Sequence, residues 1–415
     1  MYILVKICAL AALFLVILSI TAYSQTESPD AFVNITVDVP ENGSIQTDPA
    51  IPADGKMAKG TVIRVTSIPD AGYAFDSGYY ATPGRWGKMF YESMTPTFEV
   101  VADRDQAIGA SFIEKEKLEG FRVIQDVVYV QPGVKKLKYD VFSPDGAQNL
   151  PGIVIIHGGG WSTNTEDIMR GLARELIRSG TYVAFSMDYR WINDGDGDEV
   201  PNTMADLIED VFGAIAHIRE HAARYGCDPD RLAVTGDSAG GHLSAVAANM
   251  NDKIGNGGFG KTAGVFEFVP SYIPNGKTAE QVRREIYRAI HVAAPSYGVF
   301  GGELLQNFAG ETSDQSRLDA ISPIKNIPDA KERAVPKYLL RGSLDMLITD
   351  ETVRSYAEAL KAAGQIVKYE EVQGANHAFF DWKPDPQTKA VFAQYGVPYA
   401  AKMMAFFDTV FYPGD

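Results

Sequence analysis

The sequence predicts an α/β protein, a mostly parallel sheet flanked by helices, preceded by a small all-β domain. Three observations predict it. From residue 118 onward, short apolar runs alternate with helical stretches, the pattern of a parallel sheet covered on both faces. Before that, residues 31 to 113 hold β-branched runs broken by turn pairs. Between the two lies a charged connector, Glu114-Lys115-Glu116-Lys117, which marks the boundary. The chain therefore divides into 1–24, 25–117 and 118–415.

Residues 1–24 differ from the rest. Lys6 precedes an apolar run from Ile7 to Leu18, and Ala22-Tyr23-Ser24 supplies small residues for cleavage, the layout of a secretory signal peptide. A membrane anchor is the competing reading, because Tyr2 to Ile20 is nearly long enough to span. The Ala-x-Ser site and the polar Gln25-Thr26-Glu27 favour cleavage. Cys8 lies within the run and no cysteine stands at the cleavage point, which argues against a lipid-modified N-terminus. The expectation is an exported protein, periplasmic or secreted, with no membrane partner once the leader is removed.

The 415 residues are 46% apolar and 22% charged, a globular composition. Only Cys227 lies beyond the leader, so no intramolecular disulfide is available to the mature chain. A formal charge of −15 disfavours nucleic acids as partners, because phosphates would be repelled. The sequence carries no signal of oligomeric state.

In residues 25–117, Ile35-Thr36-Val37 and Thr61 to Thr66 read as strands, with Asn42-Gly43, Asp54-Gly55 and Pro83-Gly84 as turns. The order Gly43, Gly60-Thr61-Val62, Pro69, Gly72-Tyr73-Ala74-Phe75 and Ala110-Ser111-Phe112 resembles the small bacterial InlB B-repeat-like β module. That resemblance implies a spacer or interaction domain; an unrelated β-sandwich is the alternative.

Past the connector, Phe121 to Val130 and Lys136 to Phe142 meet at Pro132-Gly133 and predict a hairpin. Strands are expected at Ile153 to Ile156, Tyr182 to Phe185, Leu232 to Val234, Tyr338 to Leu340 and Ile366 to Val372. Helices are expected at Thr203 to Arg224, Gly241 to Asn249, Glu351 to Ala363 and Gln387 to Phe411. Residues 251–296, with Phe266, Phe268, Tyr272 and Arg283-Arg284, exceed what such a core needs. They read as a lid or rim over a pocket, or as a surface insertion.

The chemistry concentrates at two strand ends. Leu232 to Val234 runs into Gly236-Asp237-Ser238-Ala239-Gly240, a G-x-S-x-G turn followed at once by a helix, which exposes the Ser238 hydroxyl above the sheet. Ile153 to Ile156 runs into His157-Gly158-Gly159-Gly160-Trp161. A glycine run lets backbone approach an oxyanion, so the N–H groups of Gly159, Gly160 and Ala239 are the candidate oxyanion hole. Acid and base should then follow Ser238 in the chain.

Together with Asp188-Tyr189-Arg190, these motifs resemble the hormone-sensitive-lipase-like esterases, including their bacterial feruloyl and acetyl esterase branch, over roughly residues 120 to 413. The resemblance implies an α/β-hydrolase fold, a Ser–Asp–His triad and no cofactor. Arg341-Gly342-Ser343-Leu344-Asp345 follows a strand and matches the family's acid loop. Asp350 is the competitor, but Thr349-Asp350-Glu351 reads as a helix N-cap. His377 is the only histidine beyond Asp345. The expected triad is Ser238, Asp345 and His377.

Trp161, Trp191 and residues 251–296 are candidates for substrate contact. His217 and His221 lie one helical turn apart but lack a third ligand, so a solvated or capping role is expected. His242 is expected to pack, and His291 carries no motif. Asp194, Asp196 and Asp198 alternate with glycine and suggest calcium. Counted from Asp194, however, the loop fails the EF-hand pattern, with Glu199 and Ala205 where glycine and glutamate belong; a solvated acidic loop without metal is the favoured reading.

The expected function is hydrolysis of a small-molecule or carbohydrate ester, acetyl or feruloyl in type. A serine peptidase on the same fold is one alternative. An inactive binding or adhesion protein, with the β module as its working part, is another. Because every chemical element follows Lys117, residues 118–415 are expected to fold and turn over small esters without the module.

Overall fold

Alternation in the N-terminal region resolves into eight strands in the computed structural model, which describes residues 31–84, 87–197, 200–310 and 314–414. The expected leader, 1–24, lies outside the described residues, as does Asp198. The strands are β1 (Phe32–Val37), β2 (Gly43–Asp48), β3 (Lys56–Ala58), β4 (Val62–Pro69), β5 (Tyr73–Gly84), β6 (Gly87–Ser93), β7 (Thr97–Val101) and β8 (Gln106–Glu114). They form two sheets, ordered β3-β1-β8-β5-β6 and β2-β4-β7. Period-two side chains explain why Ile63 and Val65 are buried while Arg64 between them is exposed. With Val33, Ile35, Met57, Val100 and Ile108 they make a small core between the sheets.

A short 3₁₀ turn, Lys115–Leu118, follows β8 at the expected boundary. Then come β9 (Phe121–Val130), β10 (Leu137–Pro144), β11 (Leu150–Ile156), α1 (Arg170–Ile177), β12 (Val183–Met187), α2 (Met204–His221) and β13 (Cys227–Asp237). The chain continues through α3 (Ala239–Asn249), α4 (Ala279–Ala289), β14 (Ile290–Ser296), α5 (Gly302–Ala309), α6 (Gln315–Ala320) and β15 (Lys337–Gly342). It ends with α7 (Asp350–Ala362), β16 (Val367–Val372), α8 (Pro386–Val391) and α9 (Val397–Phe411).

These strands make one sheet ordered β16-β15-β14-β13-β11-β12-β10-β9. β9 and β10 are an antiparallel hairpin at one edge, and β11 to β16 run parallel. Helices cover both faces, so β12 and β15 are buried along their whole length, as continuous apolar runs require. From β11 the chain first steps to β12, then crosses back to β13 on the other side. That reversal opens a crevice at the carboxyl ends of β11 and β13, where ligands of open α/β sheets bind.

Residues 251–296 do not form a lid. α4 and β14 belong to the central fold, β14 pairing with β13 and β15. Phe268 is fully buried against Phe212 and Phe259, and Tyr272 stacks edge-on against His217 of α2. β14 is a core strand because Val292-Ala293-Ala294 is an apolar run that needs both faces covered. His217 is also not solvated: it is buried and hydrogen-bonds Tyr139 Oη at 3.0 Å through Nδ1.

The β module is not a free tether. A bulge between Phe75 and Ser77 turns Asp76 out of β5 toward α1. There its carboxylate accepts from Arg174 Nη1 at 2.8 Å, from Arg170 Nη2 at 3.2 Å and from Trp382 Nε1 at 2.9 Å. Arg170 also reaches Glu92 of β6 at 2.6 Å, and Lys389 of α8 reaches Ser111 of β8. Burial opposes the charge on Asp76, but the two guanidiniums outweigh it and hold its carboxyl far below the usual range. Removing one partner from such a buried set typically costs about 3–5 kcal/mol. A charged network crossing the boundary has no local sequence signature.

Candidate active site

Ser238 follows β13 at φ 52° and ψ −114°, a strained conformation held by its position between strand and helix. Its N–H donates to Ser296 O at 3.0 Å. The turn is tight: a side chain on Gly240 would collide with the Ile156 carbonyl, which is why glycine stands there. α3 begins at Ala239, so the Ala239 N–H is a first-turn donor without an intrahelical acceptor.

Ser238 Oγ lies 2.9 Å from His377 Nε2, and His377 Nδ1 lies 2.7 Å from Asp345 Oδ2. Asp345 is 2% exposed, and its other oxygen accepts the N–H groups of Leu347 and Ile348, each at 2.9 Å. The carboxylate is thus fixed from behind, with one oxygen left for the imidazole. Burial disfavours the His377 imidazolium, but the hydrogen bond and charge of Asp345, with Asp237 and Asp381 adding, outweigh it and raise its pKa. Asp350 is elsewhere, on Arg354 and on Tyr369 Oη at 2.7 Å, while the Thr349 side chain caps α7.

The glycine loop arrives from β11. Gly159 has φ +110°, a conformation L-residues rarely adopt, and a side chain there would strike the Thr163 carbonyl. The Gly158 N–H is taken by Asp237 Oδ1 at 2.7 Å. Among the described residues, no protein acceptor is found for the N–H groups of Gly159 and Gly160. Asp237 is fully buried; burial and the charge of Asp381 push its pKa up to about 7. It ties the glycine loop to the serine turn, a role its place inside G-x-S-x-G could have suggested.

One of the two tryptophans falls differently from expectation. Trp161, at φ +61°, turns inward, is 2% exposed and donates from Nε1 to His242 Nδ1 at 3.3 Å. It is a core residue behind the loop. Burial depresses the His242 pKa to about 4, so the ring is neutral and its Nε2–H donates to Ile321 O at 3.0 Å. Trp191 is half-buried and donates to Asn164 O at 3.1 Å, bracing the segment after the glycines.

What borders the loop is Phe308 of α5, 39% exposed and 5.2 Å from the Trp161 ring. Beside Asp345, Leu344, Met346 and Leu347 are exposed, Met346 at 93%. No sequence motif marked these apolar groups.

Asp194 and Asp196 serve backbone. Asp196 Oδ1 accepts from Lys135 N at 2.7 Å and Asp194 Oδ1 from Asp196 N at 3.3 Å. Among the described residues, the acidic cluster with metal-ligand spacing is Asp126, Asp140 and Glu166, and the Lys138 ammonium already pairs with Asp126 and with Glu166 at 2.9 Å. A cavity of about 960 Å³ lies between the β module and α1 and α8, lined by Tyr73, Phe112, Arg174, Trp382 and Lys389, and the Ser238–His377 pair does not line it.

Comparison with known proteins agrees with this architecture. Residues 139–270 match a family model described as BD-FAE. The chain is 29% identical to esterase LipQ of Mycobacterium tuberculosis over 269 residues, 60% of this chain and 55% of that one. It is 30% identical to carboxylic ester hydrolase LipN of the same organism over 250 residues, covering 58% and 60% of the two chains. A shorter stretch of 107 residues is 39% identical to carboxylesterase NlhH of M. tuberculosis, 26% of this chain and 31% of that one. The chain spans about half the length of the first curated relatives it matches. Among solved structures, the apo form of Thermogutta terrifontis esterase 2 superposes with a TM-score of 0.51 at 24% identity, covering 70% of this chain and 96% of that one. The C-terminal region of this chain therefore has the α/β-hydrolase fold, with a β-rich region before it.

Proposed function

We propose that the protein is a serine carboxylesterase that hydrolyses esters through an acyl-enzyme on Ser238. The observation that carries the reading is the relay Ser238–His377–Asp345, at 2.9 and 2.7 Å; the N–H groups of Gly159, Gly160 and Ala239 are the oxyanion donors in this reading. His377 Nε2 takes the Ser238 proton as Oγ attacks the ester carbonyl. The carbonyl oxygen becomes an oxyanion facing the backbone N–H groups. Collapse expels the alkoxide, which takes the proton from His377, and leaves Ser238 acylated. Water then loses a proton to His377 and attacks the acyl carbon, and as the acid leaves, His377 returns that proton to Ser238 Oγ. Asp345 holds the imidazole tautomer and stabilises the imidazolium. No step calls for a cofactor.

The substrate in this reading is an acetyl or feruloyl ester on carbohydrate, met outside the cytoplasm after the leader is removed. The family resemblance and the leader-like sequence support that assignment, and the apolar groups of Phe308, Leu344 and Met346 offer a surface for the acyl part. The β module, read as InlB B-repeat-like, stays with the enzyme as a packed domain. Ester and anilide analogues with the same acyl group test the reaction class. Ester turnover should exceed anilide turnover by orders of magnitude; equal rates would move the protein to the peptidases.

A pH profile tests the base. His377 acts only when neutral, so kcat/KM should rise with pH through one ionisation. Because its pKa is raised in the fold, the midpoint should lie above the ordinary histidine value of about 6.5. A midpoint below that value, with chemistry rate-limiting, would contradict the role.

A further inference from the structure

We infer that Asp76, from the β module, is a positioning residue for the loop that carries His377, acting through the indole N–H of Trp382; this rests on the serine-esterase reading above. The path between them is short and packed. After His377 the chain passes Ala378 at φ +63°, a left-handed conformation that a residue with a Cβ keeps only when its surroundings impose it. Phe379 and Phe380 follow, both fully buried. Phe380 N–H donates to Tyr297 Oη at 3.1 Å, and the Tyr297 ring lies 5.0 Å from the His377 ring and 4.8 Å from that of Phe379. The seat of the imidazole is therefore one block of aromatic rings, continuous in sequence with Trp382.

That block is tied at its far end twice. Trp382 N–H donates to Ile168 O at 2.9 Å, just before α1, and its Nε1–H donates to Asp76 Oδ2 at 2.9 Å. The indole packs edge-on against Phe392 at 5.3 Å and over Gly171, where a Cβ would stand 2.9 Å from the ring. Asp76 is placed for this contact by the β5 bulge, and its remaining acceptor capacity is filled by Arg170, Arg174 and Ser111. One carboxylate thus joins three things: the bulge of the module, the start of α1 and the end of the histidine loop. Without it, the half-buried indole N–H loses its acceptor and the far end of the block, beyond the turn at Ala378, loses one of its two ties. A small displacement of His377 from Ser238 lowers turnover without altering how substrate is held.

The alternative is that Asp76 only glues the module to the hydrolase. Trp382→Phe separates the two, because it keeps a ring at that site and every arginine contact of Asp76 while deleting the Nε1–H. Trp382→Phe, Asp76→Ala and the double variant are made in the full-length protein. Each is assayed on a soluble p-nitrophenyl ester well below its melting temperature, together with the rate at which a fluorophosphonate labels Ser238. The expected result is a roughly tenfold fall in kcat for each single variant, with KM within about twofold, slower labelling in parallel, and no further loss in the double variant. Wild-type kcat in folded Trp382→Phe, with any loss confined to melting temperature or KM, overturns the inference. Should Asp76→Ala fail to fold, Trp382→Phe decides alone. A wild-type protein that neither turns over esters nor takes the label would overturn the esterase reading itself, a distinct outcome.

Discussion

Ser238→Ala is expected to lower kcat on a short p-nitrophenyl ester by roughly 10⁴-fold or more, leaving only what the oxyanion donors and substrate binding supply. The size follows from chemistry: without Oγ no acyl-enzyme forms, and His377 can only direct water. The fold should be unaffected. Among the described residues the Ser238 side chain bonds only to His377, and its backbone N–H keeps the bond to Ser296 O. Circular dichroism and melting temperature check this, and kinetics on the same sample check the loss. Activity within a few-fold of wild type in well-folded variant would remove Ser238 from the reaction.

Asp345→Asn should cost nearly as much, about 10⁴-fold in kcat. Oδ1 of Asp345 faces two backbone N–H groups, from Leu347 and Ile348. An asparagine must present its carbonyl oxygen to those donors, so its NH₂ is forced toward His377 Nδ1. That nitrogen then accepts, Nε2 carries the proton, and the imidazole can no longer take one from Ser238. The loss arises from the wrong tautomer, with the geometry kept. Any residual activity should also show its acid limb at lower pH, because Asp345 is what outweighs burial in raising the His377 pKa. Steady-state kinetics across pH measure both effects; an Asp345→Asn enzyme within tenfold of wild type would point to another acid.

The residues that were legible in the sequence are those whose chemistry sits in local order. Gly236 to Gly240 and His157 to Gly160 each stand at the end of an apolar run, and that alone locates the crevice between β11 and β13. Asp345 and His377 follow strands in turn, and the structure brings both to Ser238. Other residues depend on contacts far apart in the chain. Trp161, beside its glycines, was a candidate for substrate contact, yet its positive φ turns the ring inward onto His242. Residues 251–296 looked like an addition because β14 is preceded by an irregular stretch and α4, so a central strand was hidden inside the segment. The charged contacts of the β module were invisible for the same reason. Asp76 carries no motif, and only the bulge between Phe75 and Ser77 reveals that it points at Arg170, Arg174 and Trp382.

The relay at Ser238 is most directly tested by labelling. The full-length protein is treated with a fluorophosphonate, digested, and the modified peptide sequenced by mass spectrometry. One adduct per chain on Ser238, formed faster as pH rises through the His377 ionisation and absent in Ser238→Ala, is the predicted result. A wild-type protein left unmodified, or one modified at another serine with Ser238 intact, would contradict it.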